Sequence, residues 1–200
     1  MSFNFRKFSN LSTLQKLELV DVHKKSLPNS PFSLLENAIC IEIYEYIEMN
    51  KNFFHMVVVR EEQPIGLFIG RISKSKVNVR LPLKVLLYYV KSIILNKGVF
   101  FYQEILQKIV LILIKSKSES VFWIELVFID QSHQKTKLGT TLLNEYLSLL
   151  PLNSKVWVDT DRNNKKANLF YLKNEFRIDK SIYLNTLLLV RETTNDSVTN

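Results

Sequence analysis

Residues 121–143 read VFWIELVFIDQSHQKTKLGTTLL. Val121 to Ile129 is an apolar, β-rich run broken only by Glu125, the pattern of a buried strand. Asp130 to Lys137 is polar and basic, and apolar residues at helical spacing follow at once. The chain has only four glycines, and Gly139 falls at this strand-to-helix junction. The first turn of a helix carries backbone N–H groups without intrahelical partners. The helix dipole adds partial positive charge there, so such a junction suits a pyrophosphate. Lys135 and Lys137 add full charges. A residue without Cβ at position 139 lets backbone and phosphate approach closely; it equally eases packing of helix on sheet, and both roles stay open at this point. The spacing is neither the GxxxxGK loop nor the dinucleotide GxGxxG.

Working outward, 200 residues predict one domain with a sizeable core. Hydrophobic content of 46% against 23% charged residues excludes a globally disordered chain. A net charge of +8 favours anionic partners: a phosphorylated cofactor, nucleic acid or an anionic membrane. The lysines are spread along the chain instead of clustered with aromatics, which argues against nucleic acid. The single Cys40 excludes an internal disulfide and a Cys-based zinc site. His23, His55 and His133 are dispersed and form no metal motif, so no metal is expected. MSFNFRKFSN lacks the apolar core and cleavage site of a signal peptide, which predicts a cytoplasmic location.

The periodicities predict a short strand at 3–8, a helix at 12–25, and a second helix capped by Ser30-Pro31 and running to about Met49. Phe53–Val59 and Ile65–Ile72 read as a hairpin turning at 60–63, with Gly66 and Gly70 marking a bulge or a close backbone approach. A helical pair is expected within 82–115, too short in each run to span a membrane. It belongs to an insertion at 76–117, packed on the core or lying on a membrane surface. After the 121–129 strand, the pattern gives a helix from Lys137 to Leu150, a strand at 155–160 and a helix at 164–174. Two short strands at 176–191 are expected to turn at Asp179-Lys180, before a disordered tail at 193–200. The class is α/β or α+β, a mixed central sheet flanked by helices with the helical insertion between its third and fourth strands.

Gln134-Lys135-Thr136-Lys137-Leu138-Gly139 resembles the Gln/Arg-x-x-Gly-x-Gly/Ala pattern of GNAT-superfamily acyltransferases. In that family the pattern holds the pyrophosphate of acetyl-CoA. Lys137 replaces the middle glycine; it can still donate its backbone N–H if its φ is negative. A second stretch, Asn164-Lys165-Lys166-Ala167-Asn168-Leu169-Phe170-Tyr171-Leu172-Lys173-Asn174-Glu175-Phe176, resembles the family's next helix, N-x-x-A-x-x-(F/L)-Y-x-x-x-G-F, with Glu175 in place of the glycine. The resemblance implies a GNAT fold over 1–192 and acetyl-CoA as co-substrate. It places the pantetheine arm along the backbone of Val127, Phe128 and Ile129, the phosphates at Gln134, Lys135, Thr136, Lys137, Leu138, Gly139 and Thr140, and further cofactor contacts at Asn164, Ala167 and Tyr171.

Acetyl transfer to an amine needs a neutral nucleophile, a donor for the oxyanion and a proton for the leaving thiolate. By resemblance Tyr171 is the acid. Glu125, the charge within the apolar strand, is the candidate base, and alternation puts it on one face with Trp123 and Val127. His55 and Asp130 are weaker alternatives. The implied acceptor is a primary amine of a small molecule, an amino sugar of surface polysaccharide synthesis being the reading that the insertion suggests. The rival is a catalytically impaired module that binds CoA, a partner or a membrane surface. The apolar 82–115 segment also suits a homodimer.

Overall fold

The computed structural model describes residues 3–28, 30–72, 121–182 and 186–193. The helical pair expected within 82–115, the insertion around it and the tail beyond Thr193 lie outside these residues. The described strands are β1 (Asn4–Arg6), β2 (Phe53–Arg60), β3 (Gln63–Arg71), β4 (Val121–Ile129), β5 (Lys155–Asp161), β6 (Arg177–Ile182) and β7 (Thr186–Glu192). They form one sheet in the order β1-β2-β3-β4-β5-β7-β6. Only β4 and β5 run parallel; the other neighbours are antiparallel.

The helices are α1 (Thr13–Ser26), α2 (Asn37–Met49), α3 (Leu138–Ser148) and α4 (Lys165–Lys173). Each buries one apolar stripe on the sheet. Leu19, Val20, Ile39, Ile43 and Tyr44 of α1 and α2 pack with Val57, Val59, Leu67, Ile69 and Phe128 on one face. Leu138, Leu142, Leu143, Tyr146 and Tyr171 of α3 and α4 pack with Val58, Phe68, Phe122, Ile124, Val156 and Val158 on the other. The period-2 alternation of the strands thus feeds two cores.

α1 starts where the sequence places it, on a capping box: Gln15 N–H donates to Ser12 Oγ (3.2 Å) and Ser12 N–H to Gln15 Oε1 (3.0 Å). The second helix differs from expectation. Pro31–Leu34 form one 3-10 turn capped by Ser30, Leu35 and Glu36 are extended, and α2 begins at Asn37. The break lets Leu35 enter the core, and Lys24 Nζ donates to both the Leu35 carbonyl and Asn37 Oδ1 at 2.6 Å.

The β2–β3 hairpin turns on Glu61 and Glu62, both at positive φ (49° and 67°), where asparagine and glycine are usual. Tertiary contacts hold it. Arg6 pairs with the Glu62 carboxylate, and Gln15 Nε2 donates to the Glu62 carbonyl at 2.6 Å. At the C-terminal end Asp179-Lys180 do not form the expected turn. Those two residues belong to β6, where a register shift between Ile178 and Lys180 interrupts the alternation and imitates a turn in the sequence.

Candidate active site at the parting of two parallel strands

β4 and β5 pair from Val121↔Lys155 to Ile124↔Val158 and then stop. β4 continues to Ile129 and β5 to Asp161. The cause lies on the other side of β4. In the β3–β4 register Ile69 faces Leu126 and Gly70 faces Ile124, so Glu125 is the extra residue of a bulge. A bulge bends its strand and increases its twist, which carries the second half of β4 away from β5. Among the described residues, no strand lies opposite the β5-facing backbone groups from Glu125 to Ile129. The opening lies at the carboxyl ends of two parallel strands, where α/β sheets bind ligands.

Tyr146 braces the bulge from below. Its ring lies where a Cβ on Gly70 would sit, and its hydroxyl reaches the carbonyls of Arg71 (2.7 Å) and Trp123 (3.3 Å). Burial, with Glu125 nearby, holds the Tyr146 phenol far above its ordinary value.

The bulge also alters the faces. Trp123 and Glu125 precede or form it, but Val127 and Ile129 beyond it pack on the α3/α4 core with Phe122 and Ile124. Leu126 and Phe128 turn to the α1/α2 side. The expected sharing of one face by Glu125 and Val127 therefore fails, because one inserted residue flips the alternation. Glu125 accepts from Arg71 Nη2 at 2.9 Å in a mostly buried pair. Arg71 ends β3, 54 positions away in the chain, and nothing local in the sequence marked it.

The loop that follows β4 is held by backbone and side-chain hydrogen bonds. Asp130 N–H donates to the Ile65 carbonyl (2.7 Å), Gln134 Nε2 to the Ile129 carbonyl (3.1 Å) and Thr136 Oγ1 to the His133 carbonyl (2.7 Å). Arg60 Nη1 donates to His133 Nε2 at 3.0 Å and ties the loop to the end of β2. Lys135 and Lys137 sit in the left-handed region, φ 67° and 63°. The condition of a negative φ at Lys137 is thus not met: the lysine adopts the conformation that a glycine would take, at a cost of roughly 1–2 kcal/mol. α3 has no side-chain cap at Lys137, and its first intrahelical bond is Thr141 N–H to the Lys137 carbonyl at 3.0 Å. Among the described residues, nothing accepts from the backbone N–H groups of Lys135 through Thr140. A row of N–H donors with left-handed residues at the mouth of a helix is an anion-binding concavity, and the exposed Lys135 and Lys137 deepen its positive charge.

Gly139 has a different role from the donors around it. A Cβ there would lie 3.1 Å from Phe170 Cε2 of α4. Of the two roles open at that position, helix-on-helix packing has a contact to support it.

α4 closes the other side. Asn164 caps it, accepting from Ala167 N–H at 3.1 Å. Ala167 and Phe170 pack on the α3/α4 core. Tyr171 is 6% exposed, between Phe170 and Phe176, with ring centroids at 5.1 and 5.3 Å. Burial first, and the charge of Asp159 second, push its phenol well above the ordinary value, so the hydroxyl keeps its proton throughout the neutral range. Glu175, in the place of the usual glycine, also takes a positive φ (66°), and its carboxylate pairs with the buried Arg191 at 2.8 Å.

The weaker base candidates lie elsewhere or are occupied. His55 is buried beneath α2 beside Glu48, with its pKa lowered to about 4 by burial. Asp130 accepts from Ser132, which holds its carboxyl below the usual range.

A sequence model of the acetyltransferase (GNAT) family matches residues 25–176. The chain belongs to this family. No curated protein matches it in sequence. Among solved structures, an acetyltransferase from Thermus thermophilus superposes with a TM-score of 0.59 at 11% identity, covering 96% of this chain and 97% of that one. Arabidopsis thaliana NAA60 in complex with acetyl-CoA gives 0.57 at 14% identity, covering 96% and 98%. The PaiA N-acetyltransferase of Thermoplasma acidophilum in complex with coenzyme A gives 0.57 at 13%, covering 96% and 99%. At these identities the likeness is one of fold: a mixed seven-stranded sheet flanked by helices. Among the described residues of this GNAT protein, no helix is long and apolar enough to cross a membrane.

Proposed function

We propose that this GNAT protein transfers an acetyl group from acetyl-CoA to a primary amine of a small molecule. The observation that carries the reading is the parting of β4 from β5 on the strand that leads, through the 130–137 loop, into the row of N–H donors at Lys135 to Thr140. Acetyl-CoA is a linear ligand with a pyrophosphate at one end of an amide-bearing arm and a thioester at the other. The open backbone edge at Val127 and Ile129, on either side of Phe128, which pairs with Leu67 of β3, offers the arm strand-like hydrogen bonds. Gln134 positions the loop from within, while the N–H groups of Lys135 to Thr140 receive the phosphates. Asn164 and Ala167 set the pitch of α4 along the arm. When bound, the thioester supplies an activated acyl carbon at the level of the bulge. There Tyr171, protonated, offers an acid for the departing sulfur, and Glu125, held by Arg71, faces the incoming amine. The two departures from the family pattern do not favour an impaired module, because Lys137 and Glu175 both adopt the backbone conformation of the residues they replace. A cytoplasmic location belongs to the same reading. The amino-sugar expectation rests on the insertion alone and is one arm of the test.

Calorimetry with acetyl-CoA tests the first half. Wild type should bind in the micromolar range, and a Lys135→Glu/Lys137→Glu variant at least about tenfold more weakly, roughly 1.4 kcal/mol. Wild type that does not bind acetyl-CoA sinks the reading. Thiol release with spermidine, glucosamine and a short peptide then separates the amine classes.

A further inference from the structure

The opening between β4 and β5 is flanked by a second carboxylate that the sequence patterns did not single out. The last paired residues are Ile124 and Val158. The next residue on each strand is acidic: Glu125 on β4 and Asp159 on β5. Val156 and Val158 face the α3/α4 core, so alternation turns Trp157 and Asp159 to the opposite face. Trp157 lies there against Trp123, with ring centroids 5.5 Å apart. Glu125 and Asp159 therefore flank the point at which the strands separate, with the two indoles as a floor behind them. Asp159 is fixed in place, because β5 remains paired at that residue with Leu188 of β7. Glu125 accepts from the Arg71 guanidinium at 2.9 Å, and the charge of Asp159 contributes, after burial, to raising the Tyr171 phenol.

We infer that Asp159 is the base that deprotonates the acceptor, with the Glu125–Arg71 pair orienting it, so that the acceptor enters as an ammonium ion between two carboxylates. This rests on reading the opening as the acetyl-CoA channel. An amine is protonated at neutral pH and cannot attack until it loses a proton. The ammonium gives that proton to an Asp159 oxygen, directly or through one water. The neutral nitrogen then bonds to the thioester carbonyl carbon as the carbon–sulfur bond breaks. The sulfur leaves with the electron pair and takes a proton from the Tyr171 hydroxyl. Tyr171 recovers a proton from the new amide nitrogen, and Asp159 releases its own to water. The products are the acetylated amine, the free thiol and one proton.

The test uses full-length wild type, Asp159→Asn and Asp159→Glu. Acetyl-CoA binding is read by calorimetry, and thiol release is followed across pH with spermidine, ethanolamine, glucosamine and water as acceptors. The expected result is acetyl-CoA affinity within about threefold of wild type for both variants. Asp159→Asn should lose roughly 10²–10⁴-fold in kcat/KM with the best acceptor, and with it the acid limb of the pH profile. Asp159→Glu should recover at least about tenfold of that loss with the limb restored, which a merely structural role would not produce. Asp159→Asn turning over within about threefold of wild type, with its acid limb intact, would overturn the inference while leaving the channel reading in place. So would wild type that binds acetyl-CoA and passes the acetyl group to none of the four. Failure of wild type to bind acetyl-CoA overturns the channel reading itself.

Discussion

Gly139→Ala separates packing from phosphate access at the junction. A Cβ at this position meets Phe170 at 3.1 Å (Cε2) and 3.4 Å (Cζ), inside the usual carbon–carbon contact of about 3.5–4.0 Å. Overpacking of this kind costs about 1–3 kcal/mol. Alanine returns up to about 1 kcal/mol of helix propensity over glycine. The single variant should therefore be destabilised by about 0–2 kcal/mol. Phe170→Leu removes the opposing ring edge, and in that background the same alanine should stabilise by up to about 1 kcal/mol. The coupling between the two sites is then on the order of 1–3 kcal/mol, the overpacking cost itself, above the roughly 0.5 kcal/mol seen for independent sites. Urea midpoints of the four proteins measure it, provided that m is constant. Acetyl-CoA titration of the same four supplies the second axis, and the double variant should bind within about threefold of the Phe170→Leu protein. Equal destabilisation by alanine in both backgrounds, with affinity lost in both, would refute the packing argument. It would return the glycine to the phosphates.

Other outcomes follow from burial. His23 and His55 have pKa values lowered to about 4 by desolvation. Their folded values lie below the unfolded value of about 6.5, so the unfolded chain binds more protons in that window. Stability is therefore full above about pH 6.5 and falls as pH drops towards 4, by roughly 2–3 kcal/mol per imidazole. His55→Leu should remove about half of this loss between pH 7 and 4.5 in urea titrations; an unchanged pH dependence would place the acid sensitivity elsewhere. Tyr146→Phe takes the donor away from the Arg71 and Trp123 carbonyls at the bulge. It should cost about 1–3 kcal/mol, and a midpoint shift equivalent to less than about 0.5 kcal/mol would show that the hydroxyl does not brace the bulge.

Much of the fold is legible in residue patterns because its signals are local. The capping box at Ser12–Gln15, the β-branched runs of β2 and β4 and the leucine spacing of α3 each report a period within a few residues. The stretches from Gln134 to Gly139 and from Asn164 to Phe176, which holds α4, were also readable, since their spacing is contiguous. What escaped is set by partners distant in the chain. Lys24 on α1 captures the Leu35 carbonyl and splits a helix that the pattern makes continuous. Arg6 and Gln15 hold two glutamates in a turn that local preference would assign to asparagine and glycine.

The site divides in the same way. Sequence alone determined that a strand meets a helix at 130–139, and that an acid interrupts that strand at 125. Only the tertiary structure decided that Glu125 is a bulge, because a bulge exists only against the register of β3. From that one inserted residue follow the reversed face of Val127, the parting of β4 from β5 and the meeting of Glu125 with Arg71 across 54 positions of chain. Asp159 becomes a neighbour of the same opening through the parallel pairing of two strands separated by a whole helix. Periodicity fixes which residues lie on an element. Register between elements fixes which of them meet, and it is a property of the assembled sheet.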